Sequence, residues 1–352
     1  MLIDFSKEAL TVPNNYLGAD KKRTIIYKGE KYLLKFSTYN EFQQNSLATS
    51  YSNNVFSEYI GSKFFKECGI EAQEVILGTY TDISRSGKEK LYPVVACKDF
   101  TGDGYELYEF KGLENSYLEG KSGGKIPSLE DITEIMDSGQ GIFGILKNDE
   151  AKERYWDTFI VDAVLGNFDR HAGNWGYLYN IKENKARLAP VYDCGSCLFA
   201  RSSDESFGKF LNSKQDMNLR VYNMPFASLT ENNKKVNYYD FISSLKNEDC
   251  NAALKRMHDR IDISKLHKII DETPMISDVR KSFYKEITRE RFDIIIDKSY
   301  RKLLKMEKLK SDPLFSMNSS DLISEPEHQG KNKEQVQENK TLGKMTKQGN
   351  QK

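Results

Sequence analysis

Early in the chain, β-branched and aromatic residues run in two short windows, Arg23-Thr-Ile-Ile-Tyr27 and Lys31-Tyr-Leu-Leu-Lys-Phe36. Between them Lys28-Gly29-Glu30 supplies a glycine-bearing hairpin turn. Residues 11–36 therefore read as strands joined by turns, with Leu17-Gly18-Ala19-Asp20-Lys21-Lys22 as a small polar turn ahead of the hairpin. From about Asn54 to Cys68 the period changes: Phe56, Tyr59, Ile60 and Phe64 recur at helical spacing. Asn53 or Asn54 can cap this helix, and Gly69 stands where a left-handed residue closes one. Val75 to Tyr80 and Leu91 to Cys97 are strand-like again. The first hundred residues thus predict a small antiparallel sheet with one helix.

Beyond Phe100 the rhythm is lost. The span from Gly102 to Ser128 holds six glycines and reads as loop. Residues 129–147 lean towards helix but are interrupted by Gly139, Gly141 and Gly144. Glu150 to Leu165 predicts a long amphipathic helix, with Tyr155, Trp156, Phe159, Ile160, Ala163 and Val164 as its apolar stripe. A hairpin follows, Trp175 to Asn180 and Ala186 to Tyr192, turning at Lys182 to Lys185. From about Tyr238 to Lys310 the pattern is helical, with Leu266, Ile269 and Ile270 on one face and Val279, Phe283 and Ile287 on another. From Pro313 large apolar residues almost vanish, so the tail is expected to stay disordered: it buries too little surface to offset its ordering entropy. No internal repeat is evident. The expectation is an α+β chain: residues 1–98 a sheet-and-helix lobe, 99–312 a mainly helical lobe, 313–352 a tail.

Bulk composition changes this picture little. The chain has 352 residues, with Lys+Arg and Asp+Glu both 52, so the formal net charge is zero. Global charge gives no support to nucleic-acid or membrane binding. Five scattered cysteines do not make a disulfide framework. No stretch approaches the ~18 consecutive apolar residues of a membrane span, and no N-terminal signal segment is visible. A cytoplasmic protein is expected; export by a signal-less route leaves no mark of this kind.

The chemistry concentrates in Leu165-Gly-Asn-Phe-Asp-Arg-His-Ala-Gly-Asn-Trp-Gly176 and in Ala189-Pro-Val-Tyr-Asp193. Asp169, Asn174 and Asp193 give two carboxylates and an amide, and Asn174 follows Asp169 by five residues. One short loop can then offer a carboxylate to a hydroxyl and an amide oxygen to a metal. The order of base, asparagine and metal-binding aspartate is that of phosphoryl-transfer enzymes that use magnesium. Any one of these residues alone would be an ordinary turn former. His171, inside the same motif, either stabilises transferring charge, orients Asp169, or is a structural histidine. Arg170 reads equally well as a phosphate contact or as an outward ion pair.

Upstream, Lys35 sits in the apolar strand Tyr-Leu-Leu-Lys-Phe, where an ammonium group is costly unless paired. Phosphate oxygens and Glu58, the acid of the following helix, are suitable partners. The turn Gly18, Ala19, Lys21 and Lys22 can cradle phosphates through backbone N–H groups and lysines, though glycine and lysine in a turn are commonplace. Cys194-Gly-Ser-Cys197 is formally a C-x-x-C, but no second ligand pair accompanies it.

With these residues assembled, the chain resembles the HipA-like serine/threonine kinases. Asn167-Phe-Asp169-Arg-His171-Ala-Gly-Asn174 is similar to their catalytic loop, Pro190-Val-Tyr192-Asp193 to their metal motif, and Gly18 to Lys22 to their phosphate loop, with Lys35 as the strand lysine. The similarity covers roughly residues 15–305 and is closest to short, stand-alone members. It implies a two-lobed protein-kinase-like fold, with ATP and Mg2+ as cofactors. In that reading Asp169 is the base, assisted by His171, and Asn174 and Asp193 hold the metal. Lys35, tied by Glu58, meets the phosphates, and the stretch containing Cys97, Asp99 and Phe100 takes the adenine edge. The implied partner is a protein with a serine or threonine acceptor, and toxin-type members add a cognate antitoxin or regulator. Autophosphorylation is implied too, with Ser37, Ser46, Ser50, Ser52 and Ser122 as candidates. The D-R-H-x-x-N string is also similar to that of phosphatidylinositol 3- and 4-kinases, so lipid or small-molecule acceptors stay open. A non-catalytic kinase-fold binding module is a further alternative.

Overall fold

The computed structural model describes residues 2–12, 22–37, 55–83, 87–117, 128–138, 141–146 and 148–311. Six strands form the N-terminal sheet: β1 (Ile3–Asp4), β2 (Leu10–Val12), β3 (Lys22–Tyr27), β4 (Glu30–Phe36), β5 (Val75–Ile83) and β6 (Glu89–Lys98). Their order is β1-β5-β6-β4-β3-β2, antiparallel except that β1 lies parallel to β5. The hairpin between β3 and β4 turns at Lys28 and Gly29, both at positive φ, as a two-residue turn matched to strand twist requires. That register sets Lys22 directly opposite Lys35. The helical turn α1 (Phe5–Glu8) and the helix α2 (Val55–Glu67) accompany the sheet. α2 agrees with the helix expected from the period, and Gly69 at φ +74° closes it. β1, α1 and β2 are too short to leave a periodic signal, so the sheet is larger than the sequence suggested.

The glycine-rich region after Phe100 also departs from expectation. It holds β7 (Tyr105–Glu109) and α3 (Phe110–Tyr117). β7 is a strand because β8 (Gly176–Asn180) pairs with it, and β9 (Lys185–Leu188) completes a three-stranded sheet. α4 (Leu129–Asp137) starts at a capping box formed by Ser128 and Asp131.

α5 (Asn148–Leu165) is the expected long helix, but it is not amphipathic in its second half. Every residue from Trp156 to Leu165 is buried. Its polar face is covered by cations: Arg256 donates two hydrogen bonds to Asp157, at 3.0 and 2.8 Å, and Arg170 donates to Asp162 at 2.9 Å. α5 is therefore an axis of the larger core, to which the elements that follow β9 also contribute.

Those elements are α6 (Asp204–Leu211), α7 (Lys214–Asn218), the hairpin β10 (Phe226–Glu231) and β11 (Lys234–Asn237), α8 (Tyr238–Ser244), α9 (Glu248–His258), α10 (Ile263–Glu272), α11 (Asp278–Arg291) and α12 (Lys298–Ser311). The faces expected around Leu266 and Ile270, and around Phe283 and Ile287, are buried. Met1–Leu304 form one compact unit, and Lys305–Lys352 a second. The expected tail and the turn from Leu17 to Lys21 lie outside the described residues. No helix among the described residues is long and apolar enough to cross a membrane.

Arg291, at the end of α11, is fully buried. It donates to the carbonyl oxygens of Arg220, at 3.1 and 3.4 Å, and of Met224, at 3.3 Å, while Nη1 has no hydrogen-bond partner among the described residues. Its guanidinium packs against Gly166, where a side chain would displace it. Truncation leaves a cavity and strips two carbonyl groups of their donor. Arg291→Ala is expected to cost about 3–5 kcal/mol. Urea unfolding midpoints measure this, and a loss below about 1 kcal/mol would show that Arg291 does not hold this junction.

Candidate functional site

Three elements bring the candidate residues together: β4 carries Lys35, α2 carries Glu58, and the segment after β9 carries Asp193. Lys35 Nζ lies 3.1 Å from Glu58 Oε2 and 3.1 Å from Asp193 Oδ1. The Lys35 contact with Glu58 has ion-pair distance, and among the described residues neither Glu58 oxygen has an aligned hydrogen-bond donor. Glu58 is fully buried, Lys35 nearly so, and the Asp193 side chain is 28% exposed. The cluster thus opens to solvent at Asp193. Burial by itself drives the Lys35 pKa down, but Asp193 and Glu58 outweigh it and hold the ammonium well above its ordinary value. Burial likewise pushes the Asp193 carboxyl up, and Lys35, followed by Arg170 and Lys22, brings it below the usual carboxylate range. Both partners are charged near neutral pH.

α2 reaches this position because it packs on the segment that follows Asp193. A Cβ at Gly61 would lie 2.7 Å from Cys194 Cβ, so only glycine permits the approach. Ser57 Oγ donates to the Cys197 carbonyl at 2.8 Å, and Ile60, Phe64 and Phe65 join the larger core. Asp193 itself has φ +56°, a left-handed conformation that Asp tolerates better than bulkier residues. Cys194 and Cys197 are buried free thiols, and burial pushes the Cys197 pKa well up. Both side chains are packed in the larger core, and the raised pKa of Cys197 runs against the thiolate character that redox chemistry needs.

The loop after α5 is held from inside. Gly166 ends the helix at φ +67°. Asn167, fully buried, donates to Asp162 Oδ1 at 3.0 Å and accepts from the Asp169 amide at 3.1 Å. Tyr238 OH donates to the Asn167 carbonyl at 2.7 Å. Arg170 turns inward rather than outward or towards phosphate: it pairs with Asp162 at 2.9 Å and donates to the carbonyls of Asn174, at 3.2 Å, and Tyr192. Arg170 therefore ties the Asp169 loop to the strand end that leads into Asp193.

Asp169 is then half-buried at the site, and Asn174 is buried. Asn174 Nδ2 donates to the Asp169 carbonyl at 2.7 Å, which leaves its Oδ1 as the atom to offer a cation. The Asp169 carboxylate accepts from Ser196 Oγ at 3.4 Å. Burial, and after it Asp193, raise the Asp169 pKa, while His171 works against them. His171 is exposed, and its Nδ1 accepts from the Gly173 amide at 3.0 Å. In the neutral ring the proton is therefore on Nε2, facing away from that bond.

The remaining sequence candidates divide. Cys97 lies inside β6, paired to Leu33 on one side and Val75 on the other, with its thiol fully buried. Asp99 donates its amide to the Lys31 carbonyl and pairs with Lys31 Nζ, both at 2.8 Å. The Phe100 ring lies 5.6 Å from that of Tyr192. Lys22 faces Lys35 across the hairpin, and its charge acts on Asp193. Gly18, Ala19 and Lys21 lie outside the described residues. Sequence reasoning missed Ser196, Asp162 and Tyr238, because none sits in a recognisable spacing and each acts across the fold.

Among the described residues no group of three or more acidic, histidine or cysteine side chains could cage a metal. A magnesium ion carried by a nucleotide needs less: it usually takes one or two protein oxygens, with phosphates and water completing its octahedron. Asn174 Oδ1 and the Asp193 carboxylate are hard oxygen donors of that kind.

Known proteins resemble the chain over most of its length. A family model described as "HipA-like C-terminal domain" matches residues 15–273. The chain is 37% identical over 310 residues to "Serine/threonine-protein kinase CtkA" of Helicobacter pylori, covering 86% of this chain and 89% of the relative. The crystal structure of a Helicobacter pylori proinflammatory kinase CtkA superposes with a TM-score of 0.76 at 36% identity, covering 87% of this chain and 99% of the other.

Proposed function

Because the chain belongs to the HipA-like C-terminal domain family, we propose that it is a serine/threonine protein kinase that transfers the γ-phosphoryl group of ATP, with magnesium, to a protein hydroxyl. The observation that carries this reading is the triad of Lys35, Glu58 and Asp193, with both contacts at 3.1 Å, beside the Asp169–Asn174 loop. Lys22 and Lys35 sit directly opposite each other on one sheet face, where like charges repel. A polyphosphate would add negative charge between them, and the buried Glu58 keeps Lys35 in place.

In this reading residues 1–98 and 99–312 are the two lobes, joined near Lys98, with residues 313–352 as a tail, and Phe100 lies nearest the adenine edge. Gly18, Ala19, Lys21 and Lys22 line the phosphates. Magnesium, when bound by Asn174 and Asp193, screens the phosphate charge. Asp169 takes the proton of the acceptor hydroxyl, and its raised pKa suits a base. His171, with its proton on Nε2, offers a donor to the transferring group. Catalysis is then mostly positioning and charge stabilisation.

Radiolabelled ATP with magnesium, offered to a panel of proteins and separately to phosphoinositide vesicles, tests the reading. Label on serine or threonine of proteins is expected. Label on lipid alone would replace the protein acceptor, and label on nothing would remove the kinase. Autophosphorylation is expected as a mass increase of about 80 Da per site in wild type, absent in an Asp169→Asn variant. Ser37, at the end of β4, is the described candidate; Ser46, Ser50, Ser52 and Ser122 lie outside the described residues.

Ser196 holds the Asp169 carboxylate, so its loss should loosen the base without touching the nucleotide. Ser196→Ala is expected to lower kcat by about tenfold with KM for ATP unchanged, and Ser196→Thr to restore most of it. Steady-state kinetics in both variables check this; an equal rise in KM would assign Ser196 to nucleotide binding instead.

A further inference from the structure

Leu198 and Phe199, a few residues beyond Asp193, both stand in the left-handed backbone region, at φ +55° and +53°. Side chains of this size seldom adopt it, because Cβ crowds the following carbonyl. The surrounding fold enforces it. Leu198 is fully buried, and its amide donates to the Leu165 carbonyl at 2.9 Å. The Phe199 ring lies 5.8 Å from that of Phe283, and the Arg291 guanidinium sits 5.0 Å from its centre. Further on, the Ser202 amide donates to the Phe199 carbonyl at 2.9 Å, and the Ser202 carbonyl accepts from Arg280 at 3.3 Å. Strain of this kind persists only where packing over-determines it. Here it fixes the backbone on both sides of one residue, Arg201.

Arg201 is half-buried, with its guanidinium 5.1 Å from the centre of the Phe168 ring. Phe168 immediately precedes Asp169, and its carbonyl is held by Ser228 Oγ at 2.8 Å. A guanidinium over a ring uses its flat face, and its N–H groups point sideways in its own plane. Its charge reaches the base: burial raises the Asp169 pKa, and Arg201 is among the charges that oppose this. Asp204, the nearest acid along the chain, is taken up by Arg280 at 2.9 Å. A rigid positive charge thus stands beside the general base. It belongs to the segment beyond Asp193, and not to the sheet whose lysines face the phosphates.

Resting on the protein-kinase reading, we propose that Arg201 selects the acceptor: the hydroxyl lies on an extended segment with an aspartate or glutamate nearby in its sequence, and that carboxylate pairs with Arg201 while the hydroxyl meets Asp169. A carboxylate accepts two parallel N–H bonds from one guanidinium, which a neutral side chain of the same size does not reproduce. A lysine at that place would meet Arg201 as a like charge and be rejected. Neighbouring residues of an extended chain are about 3.3–3.8 Å apart, so the acid falls roughly one to three positions from the hydroxyl.

A peptide array tests this. Each peptide carries one serine, and each position within about three residues of it is set in turn to Asp, Asn or Lys. The full chain is supplied with labelled ATP and magnesium. At one position Asp is expected to exceed Asn by about tenfold in initial rate at low peptide concentration, which reads kcat/KM. Arg201→Gln should level the two. Arg201→Glu should favour Lys at that same position, a gain that misfolding cannot produce. The proposal is overturned by equal rates for Asp and Asn throughout, or by an Asp preference that survives Arg201→Gln. It is overturned too if both variants slow every peptide by one common factor, which would assign Arg201 to the Asp169 base. Label on no peptide also overturns it, and the protein panel then separates the two failures: label on proteins keeps the kinase reading, and label on nothing removes both.

Discussion

Asp193→Ala is expected to reduce ATP turnover by about a thousandfold or more, the size of effect that follows from losing several kcal/mol of metal-borne charge stabilisation. Asp193 has two attachments. It is the exposed member of the Lys35 cluster, 3.1 Å from Nζ, and its carboxylate is held below the usual range, so it is ionised and ready for a cation. Removing it leaves Lys35 with Glu58 alone and leaves Asn174 as a lone neutral donor. Two measurements separate these consequences. Steady-state turnover of labelled ATP reads the chemistry, and a thermal-shift titration with ATP, with and without magnesium, reads binding. The magnesium-dependent part of the shift should vanish while a smaller shift with ATP alone persists through Lys35 and Lys22. Turnover comparable with wild type would remove Asp193 from the metal.

The second large effect belongs to Asp169. Asp169→Asn keeps the size of the side chain and its place beside Ser196, but cannot take a proton. A fall in kcat of about 10²–10⁴ is expected, the usual contribution of a positioned general base, with KM for ATP changed little. The lack of effect on KM follows from geometry: Asp169 contacts Ser196 and, through its carbonyl, Asn174, and makes no contact with Lys35 or Glu58. A thermal-shift response to ATP and magnesium equal to wild type should accompany the loss of turnover. If KM rose in parallel with the fall in kcat, Asp169 would be a nucleotide ligand and not the base.

Much of this site was legible before any fold was known, for identifiable reasons. A D-x-H-x-x-N string is a local object: five residues of turn geometry are enough to present a carboxylate and an amide on one side. Lys35 was conspicuous because a lysine inside Tyr-Leu-Leu-Lys-Phe demands a partner, and Glu58 was an acid early in the next helix, along its apolar stripe. Other readings needed the fold. Arg170 offered phosphate or solvent in sequence, yet it points inward, because α5 brings Asp162 beneath it. The stripe on α5 suggested one buried face, yet the polar face is buried too, since Arg256 and Arg170 neutralise Asp157 and Asp162 there. β7 hid in a glycine-rich stretch because its strand character comes from pairing with β8, some seventy residues on.

The sequence by itself determined which chemical groups are present and in which order. It also determined where strand gives way to helix, and the turn that presents Asp169 and Asn174, since all of these depend on neighbours within a few residues. Only the tertiary structure decided that Lys35 meets Asp193 across 158 positions of chain, and that Ser196 meets Asp169. The physical reason is that these contacts are set by how closely α2 can rest on the Cys194 segment at Gly61, and by what surrounds α5. Packing of that kind depends on surfaces brought together by the whole fold, and no local period encodes it.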